Sequence, residues 1–368
     1  VADLPEPAVR QAIRQKILRW YDRHKRELPW RGRAGDGYAQ WVAEIMLQQT
    51  QVETVIPYYE RFMARFPDVK SLAAATGDDL LRYWQGLGYY RRAANLHEAA
   101  KRIAADGGVV PDSVESLLEL PGIGRYTAGA IASMAFDRRA AAVDGNVARV
   151  LARLFHITDE IGRPATMRRM WALAECLLPV KRCGDFNQAL MDLGATVCVP
   201  GEPRCERCPL RSHCRACAAA DAADLPSSAR RPAVPEAHYV VAVIRRRERY
   251  LMMKRPPRGL WAGLWEFPNR PHPPTRPSVH AIRRLLKELA CDRGIAQFAG
   301  RHSHRLTHRL VNFDVYLVEC SSRTRAIAGG TNVRWTRLEH PNAVPISTAA
   351  RRILRVALNC NISSSTKR

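Results

Sequence analysis

The chain of 368 residues has no apolar run approaching the roughly 18 residues that a membrane-spanning helix requires, so a bilayer protein is not expected. Residues 1–30 also lack the apolar core and cleavage site of a secretory signal, and no organelle signal is evident. Six scattered cysteines (Cys176, Cys183, Cys217, Cys291, Cys320 and Cys360) have no paired spacing that suggests a disulfide framework, which fits a reducing compartment. The expected location is therefore inside the cell, with bacterial cytoplasm as the default. No internal repeat is seen, so the chain does not read as a repeat array. Acidic residues are scarce: 35 Asp and Glu face 58 Lys and Arg, a formal net charge of +23. Such a surface attracts polyanions and releases their counterions, which makes DNA or RNA the default partner. On charge alone an acidic membrane surface stays open, as does the bland reading that the excess arginine serves solubility.

The length allows two domains, each with its own core. Residues 6–214 read almost entirely as helix, with apolar stripes at Val9, Ile13, Ile17, Trp20 and Tyr21 and at Val52, Val55, Ile56, Tyr59 and Phe62. No convincing strand appears there. Residues 215–235 turn to Ala, Pro, Ser and Arg, with too little apolar bulk for a core, and read as a linker. Beyond it come the run Tyr239–Ile244 and the alternation Val311, Phe313, Val315, Leu317, with helical stretches near 278–290 and 347–358. The expected organisation is an all-α domain at 1–214, a linker at 215–235, an α+β domain at 236–360 and a disordered tail at 361–368.

Against that background, Cys198, Cys205, Cys208 and Cys214 stand at C-x6-C-x2-C-x5-C within 17 residues. Thiolates so close can converge on one metal centre, and the uneven spacing suits an iron-sulfur cube better than the two matched knuckles of a zinc ribbon; zinc remains the alternative. Upstream, residues 113–136 read as helix, tight turn, helix around Leu120-Pro121-Gly122-Ile123-Gly124. Gly122 and Gly124 let the backbone turn sharply and approach a phosphate, while the amides opening the second helix point at that anion. This is a helix-hairpin-helix reading; a plain αα-corner is its alternative.

Two carboxylates occupy contrasting settings. On a helix, Glu44 is flanked by Trp41, Ile45 and either Gln48 or Gln49, so an apolar flank raises its pKa and suits it to donating a proton. Asp144 follows Ala140-Ala141-Ala142-Val143 and precedes Gly145-Asn146-Val147, which places it at a helix start, where it stays ionised. One protonated acid and one persistent carboxylate are what cleavage of a glycosidic bond requires. Taken singly, Glu44 also reads as an ordinary helix residue and Asp144 as a simple N-cap.

Leu28-Pro29-Trp30-Arg31, Glu44 to Val52, Gly86-Leu87-Gly88-Tyr89-Tyr90, Leu120 to Gly124, Val143 to Val147 and Asn187 to Ala195 follow one another and are succeeded by the four cysteines. In that order they resemble the MutY adenine DNA glycosylases, over nearly the whole chain. The resemblance implies a helix-hairpin-helix glycosylase domain with a 4Fe-4S cluster loop at 198–214, followed by a MutT- or Nudix-like domain. It implies a monomer acting on double-stranded DNA that holds adenine opposite 8-oxoguanine or guanine. Glu44 then matches the acid that protonates adenine at N7 and directs water, and Asp144 the carboxylate supporting the oxocarbenium-like sugar. Tyr126 and Asn146 match positions beside those carboxylates, and Arg31 and Gln188 match positions lining the pocket for the extruded base. Tyr126 stands where glycosylases that also cut the backbone carry a Schiff-base lysine, so base removal without efficient strand scission is expected.

Extruding a base leaves a gap to fill, and by the same resemblance Gln49, Leu87 and Tyr89 enter the duplex near the orphaned partner. From the residues alone, Leu87 and Tyr89 read as ordinary core, although Gly86 and Gly88 favour an exposed turn. In the second domain Gly259 to Pro268 carries the resemblance, but Arg283-Arg284-Leu285-Leu286-Lys287-Glu288 has one carboxylate where a Nudix hydrolase needs several for magnesium. That domain is expected to read the 8-oxoguanine strand, with Leu306-Thr307-His308 in place of the family's Phe-Ser-His; Leu306 lacks the aromatic face. His302, His304 and His308 could suggest a metal site, but without an acidic or cysteine partner nearby they read as solvated. Arg204, Arg207, Arg211 and His213 in the cysteine loop are placed to meet phosphates, which gives the cluster an architectural role. A bifunctional glycosylase-lyase and a non-catalytic DNA-binding module are the competing hypotheses. Tyr126 and the second domain argue against the first, and a buried acid argues against the second.

Overall fold

The computed structural model describes residues 4–33, 35–227, 234–276, 278–291, 295–320, 331–338 and 344–365. Helices follow one another through the first part of the chain: α1 (Pro7–His24), α2 (Gly37–Leu47), α3 (Val52–Arg65), α4 (Val69–Ala73), α5 (Gly77–Trp84) and α6 (Tyr90–Ala105). They continue with α7 (Val114–Leu118), α8 (Arg125–Phe136), α9 (Gly145–Leu154), α10 (Pro164–Leu177), α11 (Cys183–Thr196) and α12 (Arg215–Ala218). The chain divides into two compact units, Val1–Ala74 with Asn95–Arg231 and Ala75–Ala94 with Pro232–Arg368. Among the described residues no helix is long and apolar enough to cross a membrane.

The predicted apolar stripes drive the packing of the first unit. Ile13, Ile17 and Tyr21 bury one face of α1, and Val55, Tyr59 and Phe62 one face of α3, while Val9 stays exposed near the start of α1. Arg14 on α1 donates from Nε and Nη2 to the carbonyls of Cys176, Leu177 and Leu178 at 2.7–2.9 Å, satisfying groups that the end of α10 leaves unpaired. The expected linker begins as structure. α12 and the turns after it bury Ala216, Ala222 and Leu225 as a small satellite core beside Cys214. Small residues suffice there because few atoms need covering, which the low apolar content of the segment concealed.

Glycine permits the closest approaches. A Cβ at Gly129 on α8 would lie 2.0 Å from the Ala141 carbonyl oxygen, and one at Gly184 on α11 would lie 2.5 Å from the Ser133 carbonyl oxygen. The run 140–142 can therefore press against α8, and it leads directly into Asp144.

In the second unit the sheet is mixed, with strands β1 (Glu236–Arg246), β2 (Arg249–Lys254), β3 (Trp265–Glu266), β4 (Asn269–Pro271), β5 (Ile295–Arg305), β6 (Leu310–Glu319) and β7 (Val333–Thr336). The order is β3-β2-β1-β6-β5, with β4 added to β1 and β7 to β2; β1 and β6 are parallel and the other named pairs antiparallel. Helix α13 (Ser278–Glu288) covers one face and α14 (Thr348–Ser365) the other. Val241 and Val243 join Val311, Phe313, Val315 and Leu317 in the α14 layer, whereas Val240, Ala242 and Ile244 face the α13 layer. Burial on both faces explains the apolar run Tyr239–Ile244 in the middle of β1, whereas β6 alternates from Val311 to Val315 before Tyr316 and Val318 join the α13 layer. The tail expected to be disordered from Asn361 is helical as far as Ser365.

A methyl group at position 129 has no free space to occupy. Gly129→Ala is expected to lower stability by about 1–3 kcal/mol in denaturant unfolding. Gly77→Ala, at a site with no atom within 4 Å and no positive φ, is expected to be neutral or slightly stabilising.

Candidate active site

From Gly37 to Met46 every residue of α2 is buried, and Asp36 caps its start by accepting from the Ala39 N–H at 2.9 Å. Glu44 is carried into that interior and is 3% exposed. Its Oε1 accepts from Gln40 Nε2 at 2.8 Å, and its Oε2 accepts from the Tyr126 hydroxyl at 2.6 Å. Burial pushes its pKa up to about 7; the bonds from Tyr126 and Gln40 oppose the rise, and the charge of Asp144 adds to it. The apolar flank of Trp41 and Ile45 is present. Gln48, one turn after Glu44, donates to Thr127 Oγ1 at 3.3 Å, and Gln49 is exposed with a left-handed φ of 58°. Gln40, one helical turn before Glu44, is the residue that the helix spacing could have supplied.

Asp144 is the N-cap of α9, accepting from the Val147 N–H at 2.7 Å and from Asn146 Nδ2 at 2.9 Å. Burial raises its pKa above the usual carboxylate value, opposed by those donors and by Arg149. Arg149 donates to Asn146 Oδ1 at 2.9 Å, to the Gly194 carbonyl at 2.7 Å and to the Cys198 carbonyl at 2.8 Å. It thus ties the support of Asp144 to the first cysteine. Tyr126, half-buried in the first turn of α8, is pushed well above its ordinary pKa by burial and by both carboxylates, so its hydroxyl stays a donor.

Arg31 spans the buried carboxylate of Asp192 with Nη1 at 2.7 Å and Nη2 at 2.9 Å, and Arg26 joins at 2.7 Å. Burial pushes Asp192 upward, but the two arginines outweigh it and hold its pKa below the usual value. Arg31 Nε is buried and has no partner among the described residues. Gln188 is half-buried on α11. In the hairpin, Gly122 has φ +81°, and a Cβ there would meet Asn95 Cβ at 2.7 Å; Gly124 caps α8 with no side chain over the opening amides. These are the features of an anion-binding turn.

The second unit gathers another set. Asp78 accepts from Lys254 Nζ at 2.6 Å and from Trp265 Nε1 at 3.3 Å, and Gln85 Oε1 accepts from the Ile346 N–H at 3.2 Å, so α5 and the turn after it pack with the sheet. Leu87 is 5% exposed, while Gly86 before it is exposed and Tyr89 is 37% exposed with φ 48°, so the exposed turn forms but Leu87 is not on its outer side. The reason is that Leu87 turns inward between the two flexible glycines. At the tip of the β5–β6 hairpin Thr307 and His308 are exposed, the turn is closed by Leu306 N–H to the Arg309 carbonyl at 2.8 Å, and Leu306 packs on the α14 layer. The Tyr89 hydroxyl and Thr307 Oγ1 lie 2.7 Å apart. His302 stacks on Phe313 and His304 lies beside Trp261. Glu288 is taken up by Arg270 at 2.8 Å and Arg284 at 3.4 Å.

Cys198, Cys205, Cys208 and Cys214 line one small cavity, together with Cys217, Arg153, Arg204 and Arg211. Among the described residues no group of His, Cys, Asp or Glu converges tightly enough for a single metal ion. Arg153 is fully buried, and among the described residues its guanidinium meets the carbonyls of Val199, Gly201 and Leu225 and the Cys198 sulfur at 3.4 Å, with no carboxylate. A buried cation with no carboxylate beside it needs an anion, and a four-thiolate cluster is one, so the residues fit the group. Burial and mutual repulsion raise the Cys205 thiol to about 11 and Cys208 to about 12, so metal must displace protons to bind there.

A family model for the HhH-GPD superfamily of base excision DNA repair proteins matches residues 42–176, and one for the NUDIX domain matches 239–356. An adenine DNA glycosylase of Rattus norvegicus is 37% identical over 402 residues, covering 94% of this chain and 78% of that protein. The chain belongs to the adenine DNA glycosylase family. A member from Buchnera aphidicola subsp. Acyrthosiphon pisum is 30% identical over 342 residues, covering 92% of this chain and 96% of that one. Among solved structures, a thermostable thymine-DNA glycosylase is 30% identical with a TM-score of 0.52, covering 58% of this chain and 98% of its own. Family membership makes the protein an enzyme of the DNA N-glycosylase class, with a helical first part and an α+β second.

Because the folded pKa of Glu44 lies above its unfolded value, the folded state binds the extra proton, and stability falls as pH rises from about 4.5 to about 7. The cost above that window is on the order of 3 kcal/mol. Glu44→Gln is therefore expected to raise the melting temperature at pH 8 and to change it little near pH 4; an equal effect at both values would contradict the burial account.

Proposed function

We propose that the enzyme removes adenine paired with 8-oxoguanine or guanine from double-stranded DNA, hydrolysing the N-glycosidic bond without cutting the strand. The observation that carries this reading is the Glu44 carboxyl, buried against Tyr126 with a pKa of about 7 and electrostatically coupled to Asp144. At neutral pH a substantial fraction of Glu44 keeps its proton. That proton goes to N7 of the extruded adenine, which turns the base into a neutral leaving group, and the resulting carboxylate then directs water. Asp144, held by the Val147 amide and Asn146, supports positive charge on the sugar. Tyr126 orients Glu44 and offers no amine for a Schiff base.

Arg31 and Gln188 are proposed to line the base pocket, with the unpartnered Arg31 Nε as a donor toward it. Gly122 and Gly124 serve the phosphate backbone. Gln49 and Tyr89, both exposed with left-handed backbones, are the better-placed wedges; Leu87 must leave its buried position to join them. Thr307 and His308, with Tyr89 against Thr307, are proposed to read the 8-oxoguanine strand. The glutamate of α13 is occupied by arginines, which supports recognition rather than Nudix hydrolysis as the second domain's work. Cys198, Cys205, Cys208 and Cys214 are proposed to hold a 4Fe-4S cluster that supplies architecture, since hydrolysis moves no electrons. A monomer acting on the bacterial chromosome completes the proposal.

A labelled duplex with adenine opposite 8-oxoguanine tests it. Strand breaks are expected only after hot alkali; breaks without alkali would favour a lyase, and none would favour a binding module. Glu44→Gln and Asp144→Asn are each expected to lower single-turnover base release at least about 100-fold while leaving duplex binding nearly intact.

A further inference from the structure

A fifth thiol shares the cavity of the four cysteines. Cys217 lines it alongside Cys198, Cys205, Cys208 and Cys214. Its side chain lies close enough to Cys205 and to Cys214 for the thiols to act electrostatically on one another. The pair Cys214-Arg215-Ala216-Cys217 repeats the two-residue spacing of Cys205-Glu206-Arg207-Cys208, which lets both sulfurs of a pair reach one centre.

Cys217 is also held where it is. Ala216 beside it is fully buried and packs with Ala222 and Leu225, and the Leu225 carbonyl accepts from Arg153 Nε at 2.8 Å. The same guanidinium reaches the Cys198 sulfur at 3.4 Å and the Val199 carbonyl at 2.7 Å. One buried arginine thus binds both the segment carrying the fifth thiol and the segment carrying the first ligand.

We propose that Cys217 is a reserve ligand for the metal centre, able to take the corner held by Cys205. In the exchange one iron–sulfur bond to Cys205 is replaced by one to Cys217; the proton leaving the Cys217 thiol ends on the released Cys205 sulfur, and no electron is transferred. The inference rests on the cluster reading given above.

The test measures iron, acid-labile sulfide and zinc per chain, with the visible absorption spectrum, in the full-length protein and in Cys205→Ser, Cys217→Ser and the double variant. Far-ultraviolet circular dichroism establishes that each is folded. The unsubstituted protein is expected to be yellow-brown with about four irons. Zinc or no metal there would overturn the cluster reading itself, and the proposal with it. Given iron in the unsubstituted protein, Cys205→Ser is expected to keep more than half of it, with a shifted absorption band, and Cys217→Ser to keep nearly all. The double variant is expected to lose at least tenfold. A Cys205→Ser protein as empty as the double variant, or a double variant that keeps its iron, would show that Cys217 does not serve and would leave the cluster reading standing.

Discussion

A carboxyl group kept out of water is the constraint from which the chemistry of the first unit follows. Glu44 belongs to a helix with no solvent-facing side, so its ionisation works against the fold unless hydrogen bonds compensate. Two do, from Gln40 and Tyr126, and they are too few to return its pKa to the ordinary carboxylate range. The geometry around it is built to hold that compromise. α8 must bring Tyr126 to Glu44, and it can lie against the run 140–142 because position 129 has no side chain. That run ends at Asp144, which receives the donors of a helix start in addition to Asn146. Two acids of similar intrinsic strength are thereby given unequal surroundings.

Much of this was legible from the residues. Asp144 could be placed at a helix start because an apolar run gives way to Gly145-Asn146-Val147, and capping is a local matter. β6 could be recognised because a period of two survives in its side chains, and β1 because its apolar run from Tyr239 to Ile244 is short and unbroken. Gln40 was within reach of an i, i+4 argument, whereas the Tyr126–Glu44 bond joins residues 82 positions apart and depends on how helices pack. Leu87 shows the converse. Flanking glycines signal a flexible turn, but they do not say toward which side the residue between them points.

Cys217 is hidden in the sequence for a different reason. Counting spacing from Cys198 produces an uneven series that ends at Cys214, and the second two-residue pair is then hidden beside the first. Only the wall of the cavity brings the fifth sulfur into view. Arg153 was likewise unreadable in advance, since nothing in a sequence announces that a guanidinium is enclosed by carbonyls. Yet it is this enclosed cation that gives the cysteine pocket its demand for negative charge.

The assignment of Ala75–Ala94 to the second unit bears on how the molecule can be taken apart. The polypeptide passes from one unit to the other three times, after Ala74, after Ala94 and after Arg231, and α6 itself runs through the middle crossing. A single cut after Arg231 would release a fragment still bearing α5 and its turn, with Asp78 stripped of Lys254 and Trp265, and Tyr89 stripped of Thr307. Truncation at that point therefore removes the sheet and orphans a borrowed helix in one stroke, and the two losses cannot be separated by shortening the chain from its C-terminus.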